Sequence, residues 1–590
     1  MSKTSFRTHT CGELTSKDIE KGTILCGWVA SRRDHGGIIF IDLRDRYGIT
    51  QIVLDPTKMP DADKLRREWC IQVTGSIRTR PKGMENKHIV TGEIEVDCKS
   101  LNIINESEVP PFEIDDRAEI NEELRLQYRY LDLRRPVMQN RLFNRHKAAQ
   151  AAREYLSSQD FMEIETPMFV KTTPGGARVF KVPSRVHPGK FYALPESPQM
   201  YKQLLMVAGC DRYFQLARCL RDEDLRADRQ PEFTQIDLEM SFIEQEDIQN
   251  IVEGLIKNVF KKVLNKDIKT PFQRLTFHEA MSKYGSDKPD LRFGLEFVNV
   301  SDIVKKSSFS VFTNVLNKKY GSVYCLNATG CGKFSRTDIE ELITVAKLYK
   351  LPGLAWAKVI AGNKLESSIV KYISDDIQKE LIKSTNSKDG DLLLFAADEF
   401  EKACTGLGQV RLHIGKKLNL MKKDDFRFCW VVDFPLFEFN EDSNSWQARH
   451  HIFTSPMNED VEYLEKDPYR VRAKAYDVVL NGVELGGGSI RIHKKDVQIR
   501  TLKVLGLTYE EAEKKFDFLL NAFKYSAPVH GGLALGFDRF CALLNGVDDI
   551  REVIAFPKNK SAENPMDSSP QDWTPEFLKD IHMKLDVVKK

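Results

Sequence analysis

Residues 221–239 read RDEDLRADRQPEFTQIDLE, with Arg221 and Glu223 ahead of a charged loop, then Arg229, Phe233 and Asp237 at four-residue spacing. A fold carrying this stretch must bring a fixed cation, a ring and carboxylates to one surface. Arg221 can clamp a phosphate with two parallel N–H donors. Glu223 can accept from an exocyclic amine, and Phe233 can stack on a purine. The set suits a nucleotide held at one end by charge and at the other by a ring. A solvated charge run beside a core Phe would not need this order.

The 590 residues allow about three to five domains at ordinary domain size. With 88 basic and 86 acidic side chains the formal net charge is +2, which excludes a histone-like blanket of positive charge. Nucleic-acid binding would then rest on local basic patches. The 11 cysteines are scattered without a Cys-x-x-Cys, so the sequence signals neither a zinc knuckle nor a thioredoxin-type site. Free thiols and the absence of an apolar leader or long apolar run lead to the expectation of a cytoplasmic protein with no membrane partner.

Residues 1–105 carry five β-type runs separated by turns, which predicts a small closed barrel such as an OB-fold. Arg32, Arg33, Arg44, Arg46, Arg78 and Arg80 fall at its strand ends, with Phe40 among them. Basic groups interleaved with an aromatic suit single-stranded nucleic acid; a basic rim over a core Phe is the other reading. Residues 106–136 read as a hinge, with helical periodicity from about Arg141 to Gln159. Segment 137–287 alternates helix and strand signals, 288–424 reads as an inserted α/β module, and 425–560 returns to apolar strands and Gly-rich turns. Segment 561–590 is a polar tail with a short helix expected at 575–589.

Three segments agree in order. DFMEIETPMF, with Phe161 through Pro167, resembles the first signature motif of class II aminoacyl-tRNA synthetases. Residues 221–239 resemble the second, and GGLALGFDRFCALL, with Gly532, Gly536 and Arg539, resembles the third. GWVASRRDHGGIIFIDLRD, YRYLDLRR, FYALPESPQMYKQLLM, YGSDKPDLR, HHIFTSP, NGVELGGGSIRIH and VIAFPK extend the likeness over nearly the whole chain, to the bacterial-type aspartyl-tRNA synthetases. The resemblance implies a multidomain α+β chain: an N-terminal OB-fold, a catalytic domain on an antiparallel sheet split into 137–287 and 425–560, and the inserted domain between.

It also implies roles. Arg491 and Lys202 would supply fixed positive charge for the substrate's side-chain carboxylate, where an asparagine would offer a neutral amide. Ser197, Gln199 and Asp237 would accept from the substrate ammonium, with His450 against the bound amino acid. Arg221 would bridge the α-phosphate and the carboxylate. Phe233 would stack on adenine with Glu223 and Gln230 as polar contacts, and Gly536 and Arg539 would face the phosphates of ATP. Asp477 and Glu484 would hold Mg²⁺. In the barrel, Phe40 would stack on an anticodon base, and Arg33, Gln51, Arg80 and Glu95 would read base edges or phosphates. The expected reaction attaches L-aspartate to tRNA(Asp) through an aspartyl-adenylate, with Arg221 and Arg539 as the catalytic cations and a homodimer as the assembly. A sister enzyme for asparagine or lysine and a non-catalytic tRNA-binding relative are the competing readings. The Arg491 and Lys202 pair disfavours the first, and the intact motifs disfavour the second.

The sequence departs from the family pattern at Ile452, where a Pro often follows the His pair, and more consequentially in one loop. The family's loop Thr-Pro-Glu-Gly-Ala-Arg-Asp here reads Thr173 to Val179 with Gly175 in place of the Glu that approaches the substrate ammonium. Adjacent Gly175 and Gly176 add backbone freedom that closure must remove, which predicts weaker aspartate binding or a differently closed lid. His35 before Gly36, with Gly83 later in the barrel, resembles the relaxed aspartyl enzymes that also charge tRNA(Asn).

Overall fold

Alternation decides which way each barrel strand faces. Ile39, Ile41 and Leu43 are buried, so Phe40 and Asp42 lie on the opposite face of their strand. The reading of Phe40 as a core residue therefore fails; it is half-buried outside the core. The computed structural model describes residues 4–172 and 178–586, the side chains of Tyr509 and Lys515 aside. Strands Gly22–His35, Ile38–Asp45, Gly48–Leu54, Cys70–Thr79 and Ile94–Asn105 close into a barrel in the order first, second, third, fifth, fourth. The third and fifth pair in parallel, Ile52 opposite Val96, and seal the barrel. Gly36 and Gly37, at φ of 58° and 80°, make the tight turn between the first two strands, a conformation that favours glycine. Arg44 is not on the basic rim: it is buried and gives Glu68 two hydrogen bonds at 2.9 and 2.8 Å.

Two compact units divide the chain. One combines the segment up to Arg145 with Arg551–Asp572, and the other combines His146–Ile550 with the segment from Trp573 onward. In the first, the YRYLDLRR stretch forms helix Arg129–Asp132 and an ionic clasp. Asp132, fully buried, accepts from Arg125, Arg129 and Arg135 at 3.0, 2.6 and 3.1 Å. Arg129 Nη2 donates to the backbone oxygens of Arg551 and Ile554, both at 2.8 Å. The long helix runs Pro136–Ser158, five residues earlier than expected. Proline suits its first turn because no N–H partner is needed there.

The second unit is built on an eight-stranded sheet. Its spatial order is Gln273–Thr276, Phe428–Val432, Ala475–Leu480, Val483–Ile490, His530–Gly536, Glu232–Ser241, Arg212–Leu220 and Met162–Glu163. Pairing is antiparallel except at the two edges, where Gln273–Thr276 runs parallel to Phe428–Val432 and Met162–Glu163 parallel to Arg212–Leu220. Helix Gln245–Leu264 packs with Ile248, Val252, Leu255, Val259 and Phe260 buried.

Between residues 288 and 424 a second sheet forms, ordered Phe297–Asn299, Gly321–Ala328, Leu392–Glu399, Ala355–Ile360, Lys364–Glu366. Helices and strands mix here, but each pairing is antiparallel, so α+β describes the module more closely than α/β. One face buries Val323, Cys325, Leu393 and Phe395. The other buries Leu326, Leu394 and Ala396 in a core that also holds Leu275, Val431 and Val479 of the large sheet. Among the described residues the tail helix covers Pro575–Asp580, with His582 at a φ of 57° just beyond it; the last three positions of the expected 575–589 helix lie outside the described residues. The cysteines are free thiols, buried or half-buried.

Candidate active site and nucleic-acid interface

Strands Arg212–Leu220 and Glu232–Ser241 form a hairpin in which Asp237 lies opposite Gln215. The loop between them and the next strand, His530–Gly536, wall a cavity of about 870 Å³. Ser197, Gln199, Lys202, Asp237, His450 and Arg491 line it. So do Arg221, Glu223, Gln230 and Phe233, and Asp477, Glu484, Gly536 and Arg539. Each aspartate- or ATP-assigned residue is thus present except Gly175, which lies outside the described residues.

The floor of the cavity is a closed charge array. Lys202 Nζ donates to Asp237 Oδ1 at 2.7 Å and sits 3.2 Å from Glu239 Oε2. Arg491 donates to Glu239 through Nε at 2.9 Å and Nη2 at 3.2 Å, and through Nη1 to Ser489 at 2.8 Å. The two cations are therefore not free in advance for a substrate; Glu239, absent from the sequence reading, holds both. Burial works to raise the Glu239 carboxyl, but the Arg491 and Lys202 charges hold it at about 2. Asp237 is pushed upward by burial, which Lys202 opposes, and its Oδ2 is buried without a partner. An acceptor buried without a partner can take a hydrogen bond from an ammonium group.

At Gly532 a Cβ would lie 2.0 Å from Glu239 Oε2 and 2.1 Å from the Leu238 carbonyl oxygen, so the glycine makes room for the neighbouring strand and its buried carboxylate. At Gly536 a Cβ would make only ordinary contacts, at 3.5 Å and beyond. That glycine borders the cavity.

His451, next to the expected His450, is a second missed residue. Its pKa falls to about 3, by desolvation first and then by the Arg491 and Lys202 charges, so it is neutral. Phe453 N–H donates to its Nδ1 at 3.2 Å. His450 stands nearer the acidic pair, with Nε2 3.8 Å from Asp477 Oδ2 and its ring against Phe434.

At the nucleotide end the Arg221 guanidinium lies 5.0 Å from the Phe233 ring centre, and Arg221 Nε is buried without a partner. Glu223 is 3.5 Å from Arg229. Arg539 donates to the Glu484 carbonyl at 2.7 Å and to Asp228 at 3.2 Å. Asp477 and Glu484 flank Gly487, where a Cβ would lie 2.3 Å from Asp477 Oδ1 and 3.9 Å from Glu484 Oε1. Burial first, then Asp477, raises the Glu484 carboxyl. Among the described residues no group of three or more His, Cys, Asp or Glu could hold a metal. Two hard carboxylates that line the cavity beside Gly487 suit Mg²⁺, a cation that commonly takes only one or two protein carboxylates.

On the barrel, Arg33 Nη2 and Arg80 Nη1 both donate to Gln51 Oε1, at 3.2 and 3.3 Å. Gln51 Nε2 donates to Glu95 Oε2 at 2.8 Å. The four form one network beside Phe40, which pairs with Arg33 across the strands. Arg80 Nη2 is buried without a partner. His35 and Gly83 are both exposed, Gly83 at a φ of 88°.

The family profile described as tRNA synthetases class II (D, K and N) matches residues 121–560, and an OB-fold nucleic acid binding domain matches 23–104. The chain belongs to the class II tRNA synthetases. A protein of Caldanaerobacter subterraneus subsp. tengcongensis described as aspartate–tRNA(Asp/Asn) ligase is 52% identical over 585 residues, covering 98% of each chain. An aspartate–tRNA ligase of Ruminiclostridium cellulolyticum is 50% identical over 582 residues, again covering 98% of each. Among solved structures, the asparaginyl-tRNA synthetase of Pyrococcus horikoshii complexed with asparaginyl-adenylate shares the fold. Its TM-score is 0.58 at 19% identity, over 93% of this chain and 97% of that one. Among the described residues no helix is long and apolar enough to cross a membrane.

Proposed function

We propose that the chain activates L-aspartate with ATP and transfers it to tRNA(Asp). The observation that carries the choice of amino acid is the floor array: Lys202 and Arg491 beside the unpartnered Asp237 Oδ2. Arg491 has more N–H groups than Glu239 and Ser489 take up, which suits a carboxylate side chain, and an orphan carboxylate oxygen suits an α-ammonium. A site for asparagine would leave a cation facing a neutral amide. Amino-acid-dependent ATP–pyrophosphate exchange tests this: exchange with aspartate and none with asparagine or lysine is expected, and the reverse overturns it.

The protein needs no nucleophile of its own. An oxygen of the aspartate α-carboxylate attacks the α-phosphorus of ATP, and the bond to the bridging oxygen breaks with release of pyrophosphate. The terminal ribose hydroxyl of tRNA then attacks the activated carbonyl, and AMP leaves. Arg221 holds the reacting phosphate next to the carboxylate, Phe233 holds the base, and Arg539 holds the far phosphates. Their work is positioning and charge stabilisation. Asp477 and Glu484 would hold Mg²⁺, which neutralises phosphate charge when bound; Asp477→Asn should raise the Mg²⁺ concentration needed for half-maximal exchange.

Three finer readings accompany this. The barrel network of Arg33, Gln51, Arg80 and Glu95 with Phe40 supports anticodon binding there. Relatives described as acting on tRNA(Asp/Asn) and the His35 and Gly83 positions support charging of tRNA(Asn) as well; aminoacylation of purified tRNA(Asn) decides it. Met162, Met168 and Phe169 of the first motif are exposed, which supports a two-fold dimer through this segment; sedimentation velocity would reveal a monomer if it is wrong. Free thiols support a cytoplasmic location, which cell fractionation would check.

A further inference from the structure

Behind the cavity wall a chain of three side chains runs inward from Gln199. Gln199 Nε2 donates to Gln203 Oε1 at 3.1 Å, one helical turn on. Gln203 Nε2 lies 3.1 Å from His530 Nε2, and His530 Nδ1 lies 2.8 Å from the Pro528 carbonyl oxygen. Gln203 and His530 are fully buried. A carbonyl can only accept, so the proton of the imidazole is on Nδ1. In the neutral ring Nε2 must then accept, which turns the Gln203 amine toward it. Gln203 Oε1 is left facing Gln199, so the Gln199 amine points inward. The Gln199 carbonyl oxygen is the end that remains for the cavity, and it has no partner among the described residues.

We propose that His530, which does not touch the cavity, is a positioning residue that sets the hydrogen-bond polarity of Gln199 so that it presents an acceptor to the substrate ammonium. This rests on the reading of Gln199 as an aspartate-binding residue. Reversal of the chain would present an amide N–H to an ammonium, donor against donor in place of a hydrogen bond.

The surroundings keep the ring neutral. The charged and titratable groups around His530 are Glu239 on the adjacent strand, Arg491, whose N–H bonds the His530 carbonyl at 2.9 Å, and His493 two residues on. The Phe523 ring centre lies 6.2 Å away on another side. Burial lowers the His530 pKa first, and Glu239 only partly opposes it. Protonation would force Nε2 to donate and would invert both amides.

The test is ATP–pyrophosphate exchange by the full-length chain, with KM for aspartate and for ATP taken separately and folding checked by thermal melting. His530→Leu should raise the aspartate KM about 10–100-fold, the scale of a hydrogen bond to a charged group, with the ATP KM within about twofold. His530→Gln, whose carbonyl can accept in the same place, should restore the aspartate KM to within about threefold. The wild-type aspartate KM should rise only on the acid side of the ordinary imidazole range, since burial lowers the His530 pKa, and His530→Gln should lack that rise. If His530→Leu does not fold, the contrast passes to Gln203→Glu against Gln203→Leu. The carboxylate accepts from Gln199 without the N–H that Nε2 requires, so it should keep the aspartate KM near wild type and lose its rise at low pH, whereas Gln203→Leu should raise that KM. Equal effects of His530→Leu on both KM values, or an unchanged aspartate KM in folded His530→Leu or in both Gln203 variants, overturn the proposal. Gln199→Leu separates the two layers. If it leaves the aspartate KM unchanged, the reading of Gln199 fails; if it raises that KM while His530→Leu does not, only the role of His530 fails.

Discussion

Glu239 accepts two hydrogen bonds from Arg491, at 2.9 and 3.2 Å, while Lys202 Nζ stands 3.2 Å from the same carboxylate. One anion thus holds two cations at the bottom of the cavity. Glu239→Gln would leave buried positive charge uncompensated, at a cost of about 3–5 kcal/mol in unfolding free energy. Urea denaturation at neutral pH measures this; a loss under about 1 kcal/mol would show that water already screens the array.

The same residue predicts an acid limb. Its folded pKa of about 2 lies below the ordinary carboxylate value, so its contribution is present above about pH 4.5 and disappears as pH falls toward 2. The shift corresponds to about 3 kcal/mol. The drop in stability between about pH 4.5 and 2 should therefore be shallower in Glu239→Gln than in the wild type. Parallel curves would contradict the assignment.

Arg221→Ala should lower the exchange rate by about 10²–10³, the scale of one preorganised donor to developing charge. The variant should melt normally, since Arg221 makes its closest described side-chain contact with the face of Phe233. A loss of under tenfold would mean that Arg221 binds ATP without favouring the transition state.

Phe40→Ala acts on a different step. Losing one stacked base should raise the tRNA KM by about 5–150-fold while leaving pyrophosphate exchange untouched. Impaired exchange would place the defect in folding rather than in tRNA contact.

Arg221, Phe233 and Asp237 were legible because one hairpin carries them, and a short local pattern encodes their meeting. Glu239 and His451 escaped because their roles depend on distant segments: Lys202 on a helix and Arg491 beyond the next strands. Gly532 was legible as a motif residue, but the reason for its glycine was not: it answers the Glu239 carboxylate on the neighbouring strand, and register across strands is not written in either segment alone. The barrel was legible through its alternation, yet Arg44 was not, since only the fold brings Glu68 beside it.

The edge pair Gln273–Thr276 and Phe428–Val432 runs in parallel, with Gln273 opposite Cys429 and Thr276 opposite Val432. Chain leaving the first strand at Thr276 must return to the far end of the second, and no tight turn can span that path. The 288–424 module is therefore an enlarged version of a bridge that geometry demands in any case. An engineer who trims it must leave behind a connection of a dozen or more residues, while growth within the bridge costs the sheet no hydrogen bond.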